Sequence, residues 1–328
     1  MIYPILTYSR NFGDFPHDLT ELHTCGLKAI RLIYKGKSED EFNARIQEIQ
    51  EKISTEKLDL DILIDLPGKK PGVGNLPQGL AVKVGYEYHL VDHAVEFPFP
   101  VIPTVNFFDH DHFPDLSPGD IISIADGELN MLVKTVNETV VCEALNSFQL
   151  TSNRSMNLKN NPFPVAANSE ADLLFVQNLQ NVPSNVKLVV SFTEKASDLL
   201  KLKALQPGID LIPKIETILD DASLLEIMAC CETLMLGRGD LSLACKPNEL
   251  FAFQERLIDL CQQNRKKLII GTGLLTSISD KQSPTIAEVM DYSHLRSRGI
   301  DAFLIAGSNA LNYPGETLGF MREFGEWS

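Results

Sequence analysis

Residues 211–216 read Leu-Ile-Pro-Lys-Ile-Glu, and residues 234–240, one helical span later, read Leu-Met-Leu-Gly-Arg-Gly-Asp. Both are short apolar runs that end in charged residues, a pattern typical of buried strands in an α/β protein. Lys214 and Glu216 stand two positions apart, so both side chains project from the same face of a strand. The alternative interpretation is a structural ion pair between Lys214 and an acid at an ordinary strand end.

The two runs together predict a metal site. Parallel strands of α/β proteins carry their ligand sites at their carboxyl ends. Two adjacent strands of this kind would offer the carboxylates of Glu216 and Asp240 to one cation, with Lys214 beside it. Oxygen ligands with open coordination positions suit Mg²⁺ or Mn²⁺. We therefore expect Glu216 and Asp240 to hold Mg²⁺ or Mn²⁺.

Composition limits the functional classes. The chain has 328 residues, 44% of them apolar, and a formal net charge of −15. This acidity argues against a nucleic-acid-binding surface, which needs clustered Lys and Arg, but it allows a small anionic ligand. No span reaches the ~18 apolar residues of a membrane helix, and the first residues do not resemble a signal peptide. The six cysteines show no C-x-x-C spacing, so we expect a cytoplasmic protein without membrane contact and with reduced thiols.

Outward from residues 211–240, apolar runs alternate with stretches of helical periodicity along most of the chain. The alternation breaks between about residues 72 and 164, where short β-like runs are separated by Gly and Pro turn signals. Without that segment we count eight strand–helix pairs, which favours a closed barrel over an open sheet. The sequence therefore predicts an α/β fold: a (β/α)8 TIM barrel of residues 1–72 and 165–328, with an inserted small all-β lid domain of residues 73–164.

With the strands placed, the motifs resemble those of the pyruvate kinase family. Residues 213–216 are similar to that family's A-K-I-E-N strand end, and residues 237–241 resemble its A-R-G-D-L-G. The other motifs that carry the resemblance are those around Arg31, Asp65, Asn157 and Thr272, together with residues 283–291 and 306–314. The resemblance covers nearly the whole chain but not the family's C-terminal domain of more than ~100 residues. Oligomers, if any, would then not form through that domain.

The resemblance implies a glycolytic enzyme that transfers a phosphoryl group between phosphoenolpyruvate or a pyruvate-type acid and a nucleotide such as ADP or ATP. In this interpretation Lys214 neutralises the phosphoryl group in transit, and phosphoryl transfer relies on such charge stabilisation. Thr272 lies near the enolate carbon that takes a proton, and Arg31 contacts phosphate. The implied catalytic residues are Lys214, Thr272 and Arg31, the substrate-binding residues are Ser191, Gly239, Asp240 and Thr272, and the metal ligands are Glu216 and Asp240.

The chain departs from the family at the site of a monovalent cation. Ile33, Lys35 and Leu66 stand where the family has Asn, Ser and Thr oxygens that ligate this ion. We therefore expect no bound potassium, and either Lys35 or Lys70 could supply a fixed positive charge instead.

The nucleotide side also departs, because Gly72 and Glu194 stand where the family has arginines. One alternative is therefore a metal-dependent lyase, aldolase or decarboxylase that acts through a pyruvate enolate without a nucleotide. Another is a non-catalytic relative used for binding or assembly. The joint presence of Lys214, Glu216, Asp240 and Thr272 argues against that last reading.

Residues 109–112 read Asp-His-Asp-His and suggest a second metal site. Adjacent residues of an extended chain alternate faces, so at most two of the four side chains would converge on one ion. A solvated loop is therefore the favoured interpretation of this Pro-rich stretch.

Overall fold

A computed structural model describes residues 3–8, 17–34, 39–91, 100–107, 116–125, 127–137, 139–159, 165–179, 182–278, 283–300 and 302–326. The chain divides into two compact units. The first comprises Met1–Pro67, Ala167–Arg238 and Ala252–Ser328, and the second comprises Gly68–Ala166 and Gly239–Phe251. The domain boundaries expected from the sequence stay a prediction. Lys35 and residues 109–112 lie outside the described residues.

The described strands are of two kinds: those near the two ends of the chain alternate with helices, and those between residues 72 and 158 follow one another without a described helix. In chain order they are β1 Tyr3–Thr7, β2 Ala29–Ile33, β3 Asp61–Leu66, β4 Gly72–Val73, β5 Leu80–Val82, β6 Glu87–Val91, β7 Val101–Val105, β8 Ile121–Ile124, β9 Leu129–Val136, β10 Val140–Ala144, β11 Phe148–Leu150, β12 Met156–Leu158, β13 Val186–Val190, β14 Asp210–Ile215, β15 Thr233–Gly237, β16 Lys267–Gly271 and β17 Ala302–Ile305.

Helices separate the strands of the first unit. They are α1 Leu19–Thr24, α2 Glu39–Glu56, α3 Glu170–Asn178, α4 Ala196–Leu205, α5 Asp221–Met228, α6 Arg238–Ala244, α7 Pro247–Gln263, α8 Ile286–Ser297, α9 Ser308–Asn312 and α10 Pro314–Glu326. Capping boxes begin α3 at Ser169 and α8 at Thr285, where a side-chain oxygen accepts the N–H three residues later. None of the helices in the described part of the chain is long and apolar enough to span a membrane.

Eight parallel strands close the barrel in the order β1-β17-β16-β15-β14-β13-β3-β2. The predicted (β/α)8 barrel is therefore confirmed. Strands β14 and β15, which precede Glu216 and Asp240, are neighbours, with Lys214 opposite Met235. The first strand pairs with the last, so the sheet has no free edge.

The side chains inside the barrel change from apolar to largely polar toward the carboxyl ends of the strands. One apolar residue from each strand forms a buried layer, namely Ile5, Ala29, Leu63, Val189, Ile212, Met235, Ile269 and Leu304. The residue two positions after each of these also points its side chain into the barrel, because side chains alternate between the two faces of a strand. That second set, here called the carboxyl-end layer, is Thr7, Arg31, Asp65, Ser191, Lys214, Gly237, Gly271 and Ala306. The apolar layer thus supports a layer rich in polar groups.

The second unit is mainly antiparallel. Its larger sheet has the order β12-β8-β9-β10-β6-β7-β4, and β5 pairs with β11 in a smaller one. It has its own core, in which Val73, Leu90, Ile102, Met131 and Val140 are fully buried. The additional sheet that the sequence predicted is therefore present.

Candidate active site

Asp65, in the carboxyl-end layer, is the centre of the polar network of the barrel. The residue is 1% exposed, and both carboxylate oxygens accept hydrogen bonds from Lys214 Nζ, at 3.2 Å for Oδ1 and 3.0 Å for Oδ2. Arg31 Nε donates to Oδ2 at 2.7 Å, and Ser191 Oγ donates to Oδ1 at 2.8 Å. Arg31 Nη1 also donates to Thr7 Oγ1 at 3.3 Å. Residues on or directly after three strands, β2, β13 and β14, therefore donate to one buried acid on β3, and Arg31 links this network to Thr7 on β1.

The protonation state of Asp65 follows from these contacts. Burial alone raises the pKa of this carboxyl group, because it removes water from the charged form. The Lys214 ammonium and the Arg31 guanidinium, with the Ser191 hydroxyl, outweigh that effect and hold the pKa of Asp65 below its ordinary value. Asp65 is therefore a fixed anion that orients two cations at the carboxyl end of the barrel.

Glu216 follows directly after β14 and is 5% exposed. Its Oε2 accepts the backbone N–H of Phe192 at 3.0 Å, and its Oε1 lies 3.6 Å from Lys214 Nζ. The side chain extends over Gly237, where an added Cβ would lie 2.6 Å from Glu216 Cγ. Glycine at 237 therefore makes room for this carboxylate.

Asp240 follows β15 but lies in a helix that the sequence analysis did not predict. The prediction placed it at a strand end, but β15 ends at Gly237 and α6 begins at once, so Asp240 stands in the first turn of that helix. Gly239 and Asp240 belong to the second unit. There Asp240 Oδ1 accepts hydrogen bonds from Lys70 Nζ and, at 2.8 Å, from Asn157 Nδ2. The expectation that Asp240 shares a metal with Glu216 stays a prediction.

Thr272 stands directly after β16 and is exposed. Its backbone has φ +70°, a left-handed value that is uncommon for a β-branched residue. Its carbonyl accepts a hydrogen bond of 3.1 Å from Arg238 Nε. An unusual backbone therefore presents Thr272 at the carboxyl end of the barrel.

The structure thus brings together Arg31, Ser191, Lys214 and Glu216, all named from the sequence. Asp65, which joins three of them, was noted there only as part of a motif. The available signal was a lone acid within the apolar run Ile-Leu-Ile-Asp-Leu of residues 62–66, followed by a turn. Leu66 is fully buried. The expectation that no potassium binds beside it stays a prediction.

The donors fit a hard divalent cation in their chemistry. Glu216 and Asp240 both offer carboxylate oxygens, and Mg²⁺ commonly binds one or two carboxylates while keeping several waters. Within the described ranges no three His, Cys, Asp or Glu side chains form a cluster that could enclose an ion. The expectation that these two carboxylates bind Mg²⁺ or Mn²⁺ stays a prediction.

Comparison with known proteins agrees with the resemblance inferred from the motifs. A family model described as the pyruvate kinase barrel domain matches residues 11–318. The chain belongs to the pyruvate kinase family. The resemblance inferred from the motifs is therefore confirmed.

The relatives show how much of a pyruvate kinase this chain represents. Pyruvate kinases of Staphylococcus epidermidis and Bacillus licheniformis are 28% and 26% identical to it over 316 and 313 residues, or 93% and 92% of this chain. The match covers 53% and 52% of those proteins. The chloroplastic isozyme G of Nicotiana tabacum is 28% identical over 76% of this chain and 44% of its own length. The chain thus spans about half the length of the curated relatives it matches.

Proposed function

We propose that the protein is a divalent-metal-dependent phosphotransferase that acts on phosphoenolpyruvate or a pyruvate-type acid together with ADP or ATP. The observation that carries this proposal is the Lys214 ammonium, held by the buried carboxylate of Asp65 at the carboxyl end of a pyruvate kinase-type barrel. Phosphoryl transfer needs fixed positive charge where negative charge moves, and a lysine oriented in advance supplies it without reorganisation.

The residues have distinct proposed roles. Lys214 and Arg31 face the anionic groups of the substrate, and Asp65 sets the direction of both. Glu216 and Asp240 would hold Mg²⁺ or Mn²⁺, which when bound supplies charge neutralisation and orients substrate oxygens. Ser191 and Gly239 line the substrate site, and Thr272 serves the carbon that becomes the methyl group of pyruvate.

A second candidate function is enolate chemistry without a nucleotide, such as decarboxylation of oxaloacetate. The observation in its favour concerns Glu194, which stands where the family has an arginine. Its Oε1 accepts a hydrogen bond from Thr217 Oγ1 at 3.2 Å, so an acid rather than a cation occupies this position. A negative charge there disfavours binding of nucleotide phosphates.

Two assays separate these functions. We expect ATP formation from phosphoenolpyruvate and ADP in the presence of Mg²⁺, abolished by a chelator and unchanged when potassium replaces sodium. Absence of ATP formation together with metal-dependent pyruvate release from oxaloacetate would favour the second candidate. A strong potassium requirement would contradict the proposal that the protein's own cations replace this ion.

A further inference from the structure

The segment that follows β16, residues 272–275, has an unusual backbone. Thr272, Gly273 and Leu275 have φ values of +70°, +72° and +53°. Only glycine adopts such values without strain, and each non-glycine residue there costs on the order of 1 kcal/mol or more. Strained backbone persists only where the surroundings hold it, so the contacts of this segment are informative.

Two side chains from the flanking parts of the barrel hold three carbonyls of this segment. Arg238, the residue after β15, donates from Nε to the carbonyl of Thr272 at 3.1 Å. Asn309 in α9, which follows β17, donates from Nδ2 to the carbonyls of Leu274 and Leu275, each at 3.2 Å. Asn309 is 1% exposed. Strands β15 and β17 flank β16 in the barrel, so the segment is held from both sides.

Arg238 is itself fixed. Its Nη1 donates to Asp291 Oδ1 at 3.0 Å and lies 2.9 Å from Oδ2. The same nitrogen lies 3.5 Å from Oε1 of Gln254, a residue that is 5% exposed. Nη2 lies against the segment, 3.8 Å from the position that a Cβ of Gly273 would take. A planar guanidinium can serve a carboxylate and a carbonyl at once, which a lysine ammonium does less well.

We propose that Arg238 is a positioning residue that holds the Thr272 carbonyl, and thereby the left-handed backbone that directs the Thr272 hydroxyl toward the substrate carbon. This inference rests on the proposed function, in which Thr272 serves the carbon that gains a proton. Asp291 fixes Arg238, and Asn309 holds the other end of the segment. Arg238 acts through Thr272 and touches no reacting atom.

The experiment compares Arg238→Met and Arg238→Lys with a matched control, Arg256→Met. Arg256 also donates to a backbone carbonyl, that of Leu219, and also pairs with an aspartate, Asp221 at 3.4 Å. Two quantities are measured. The first is the φ angle of residue 272 in crystal structures. The second is the exchange of the methyl hydrogens of pyruvate for deuterium in D₂O with Mg²⁺, in which one proton leaves the methyl carbon and one solvent deuteron returns to it.

We expect Arg238→Met to slow this exchange by about 10²-fold, the scale of a misplaced group, and to release residue 272 from its positive φ. The KM for phosphoenolpyruvate should stay within about threefold, Arg238→Lys should recover part of the rate, and Arg256→Met should match the wild type. If Arg238→Met does not fold, Asp291→Asn, which keeps the guanidinium but removes its anchor, should slow the exchange by about tenfold.

Retention of the positive φ and of the exchange rate in the Arg238 variants, or in Asp291→Asn where it is the variant that folds, would overturn the inference. A wild-type protein with neither exchange nor phosphoryl transfer would contradict the proposed function instead. The φ angle of residue 272 in the Arg238→Met variant would still decide whether Arg238 holds this segment.

Discussion

The carboxyl-end layer of the barrel has two unlike halves. Strands β1, β2, β3, β13 and β14 contribute side chains with hydroxyl or charged groups, namely Thr7, Arg31, Asp65, Ser191 and Lys214. Strands β15, β16 and β17 contribute only Gly237, Gly271 and Ala306. In the first half, ion pairs set the shape of the site. In the second half, the backbone of the segments directly after the strands sets it.

The difference shows two ways to fix a reactive geometry. Buried charges keep their positions because each cation has a carboxylate partner, and removal of one partner leaves an uncompensated charge. Backbone keeps its position because neighbouring side chains, such as Arg238 and Asn309, hold its carbonyls. The first half should therefore respond to substitution through stability and charge, and the second through geometry.

The largest effect is expected at Asp65 in the charged half. Asp65→Asn keeps the volume but leaves Arg31 and Lys214 as facing cations, so it should lower the free energy of unfolding by about 3–5 kcal/mol. Urea denaturation measures this. Asp61→Asn is the control, because Asp61 also pairs with a lysine, Lys187 at 2.6 Å, but near the start of its strand; it should lose about 1 kcal/mol. Equal losses would contradict the special role of the carboxyl-end layer.

The second prediction concerns catalysis by Lys214, in the same charged half of the layer. Lys214→Met retains much of the stem volume and removes the charge, so turnover of phosphoenolpyruvate should fall by about 10²-fold or more. Lys187→Met, which removes an aspartate-paired lysine from β13 near its start, should leave turnover within about twofold. Steady-state kinetics with Mg²⁺ give both values. Full phosphoryl transfer in Lys214→Met would refute the role proposed for this residue.

The third prediction concerns Gly237, in the half of the layer that has no polar side chains. Gly237→Ala places a Cβ 2.6 Å from Glu216 Cγ, so the carboxylate must move and the affinity for Mn²⁺ should fall by about tenfold. Gly208→Ala is the control, because a Cβ there meets no atom within 4 Å. Calorimetric titration with Mn²⁺ compares the two variants. Unchanged affinity in Gly237→Ala would mean that Glu216 does not need its observed position for metal binding.

The smallest effect, on thermal stability, is expected at Glu288. Its carboxylate accepts hydrogen bonds from Thr285 at the start of α8 and from Ser277 in the chain after β16. Burial raises the pKa of Glu288, but hydrogen bonds from the Ser277 hydroxyl and N–H and from Thr285 outweigh this and lower it to about 2. Because the folded pKa is depressed, this stabilisation is complete above the ordinary value near 4.5 and is lost as the pH falls toward 2.

The Glu288→Gln variant should therefore melt slightly below the wild type at pH 6, and the difference should shrink as the pH falls below about 4. Glu249→Gln, on an exposed site of α7, is the comparison that controls for the general loss of one negative charge. A melting difference that stays constant from pH 6 to pH 2.5 would contradict the depressed pKa.

Periodicity predicted the barrel because each strand and helix carries its own local pattern. Lys214 and Glu216 were recognisable because they stand two apart at the end of one apolar run. The contacts of Asp65 were not, because its partners Ser191 and Lys214 lie 126 and 149 residues away and only the barrel brings them together. The helix that carries Asp240 was not predicted, because nothing local distinguishes a strand end from the first turn of a helix that begins directly after it. The positive φ of Thr272 is likewise set by tertiary contacts that no local pattern reports.

The insertion between β3 and β13 also bears on how the chain folds. These two strands are adjacent in the barrel, yet about 120 residues separate Leu66 from Val186. Closing so long a loop is entropically unfavourable, and each doubling of its length adds roughly 0.6 kcal/mol. The second unit has its own core, and its ends meet where Lys69 N–H donates to the Ala166 carbonyl at 2.9 Å. If this unit folds first, it shortens the effective loop to the roughly 20 residues between Ala166 and Val186, which include α3. Pulse-labelled hydrogen exchange should then show its amides protected before those of the barrel.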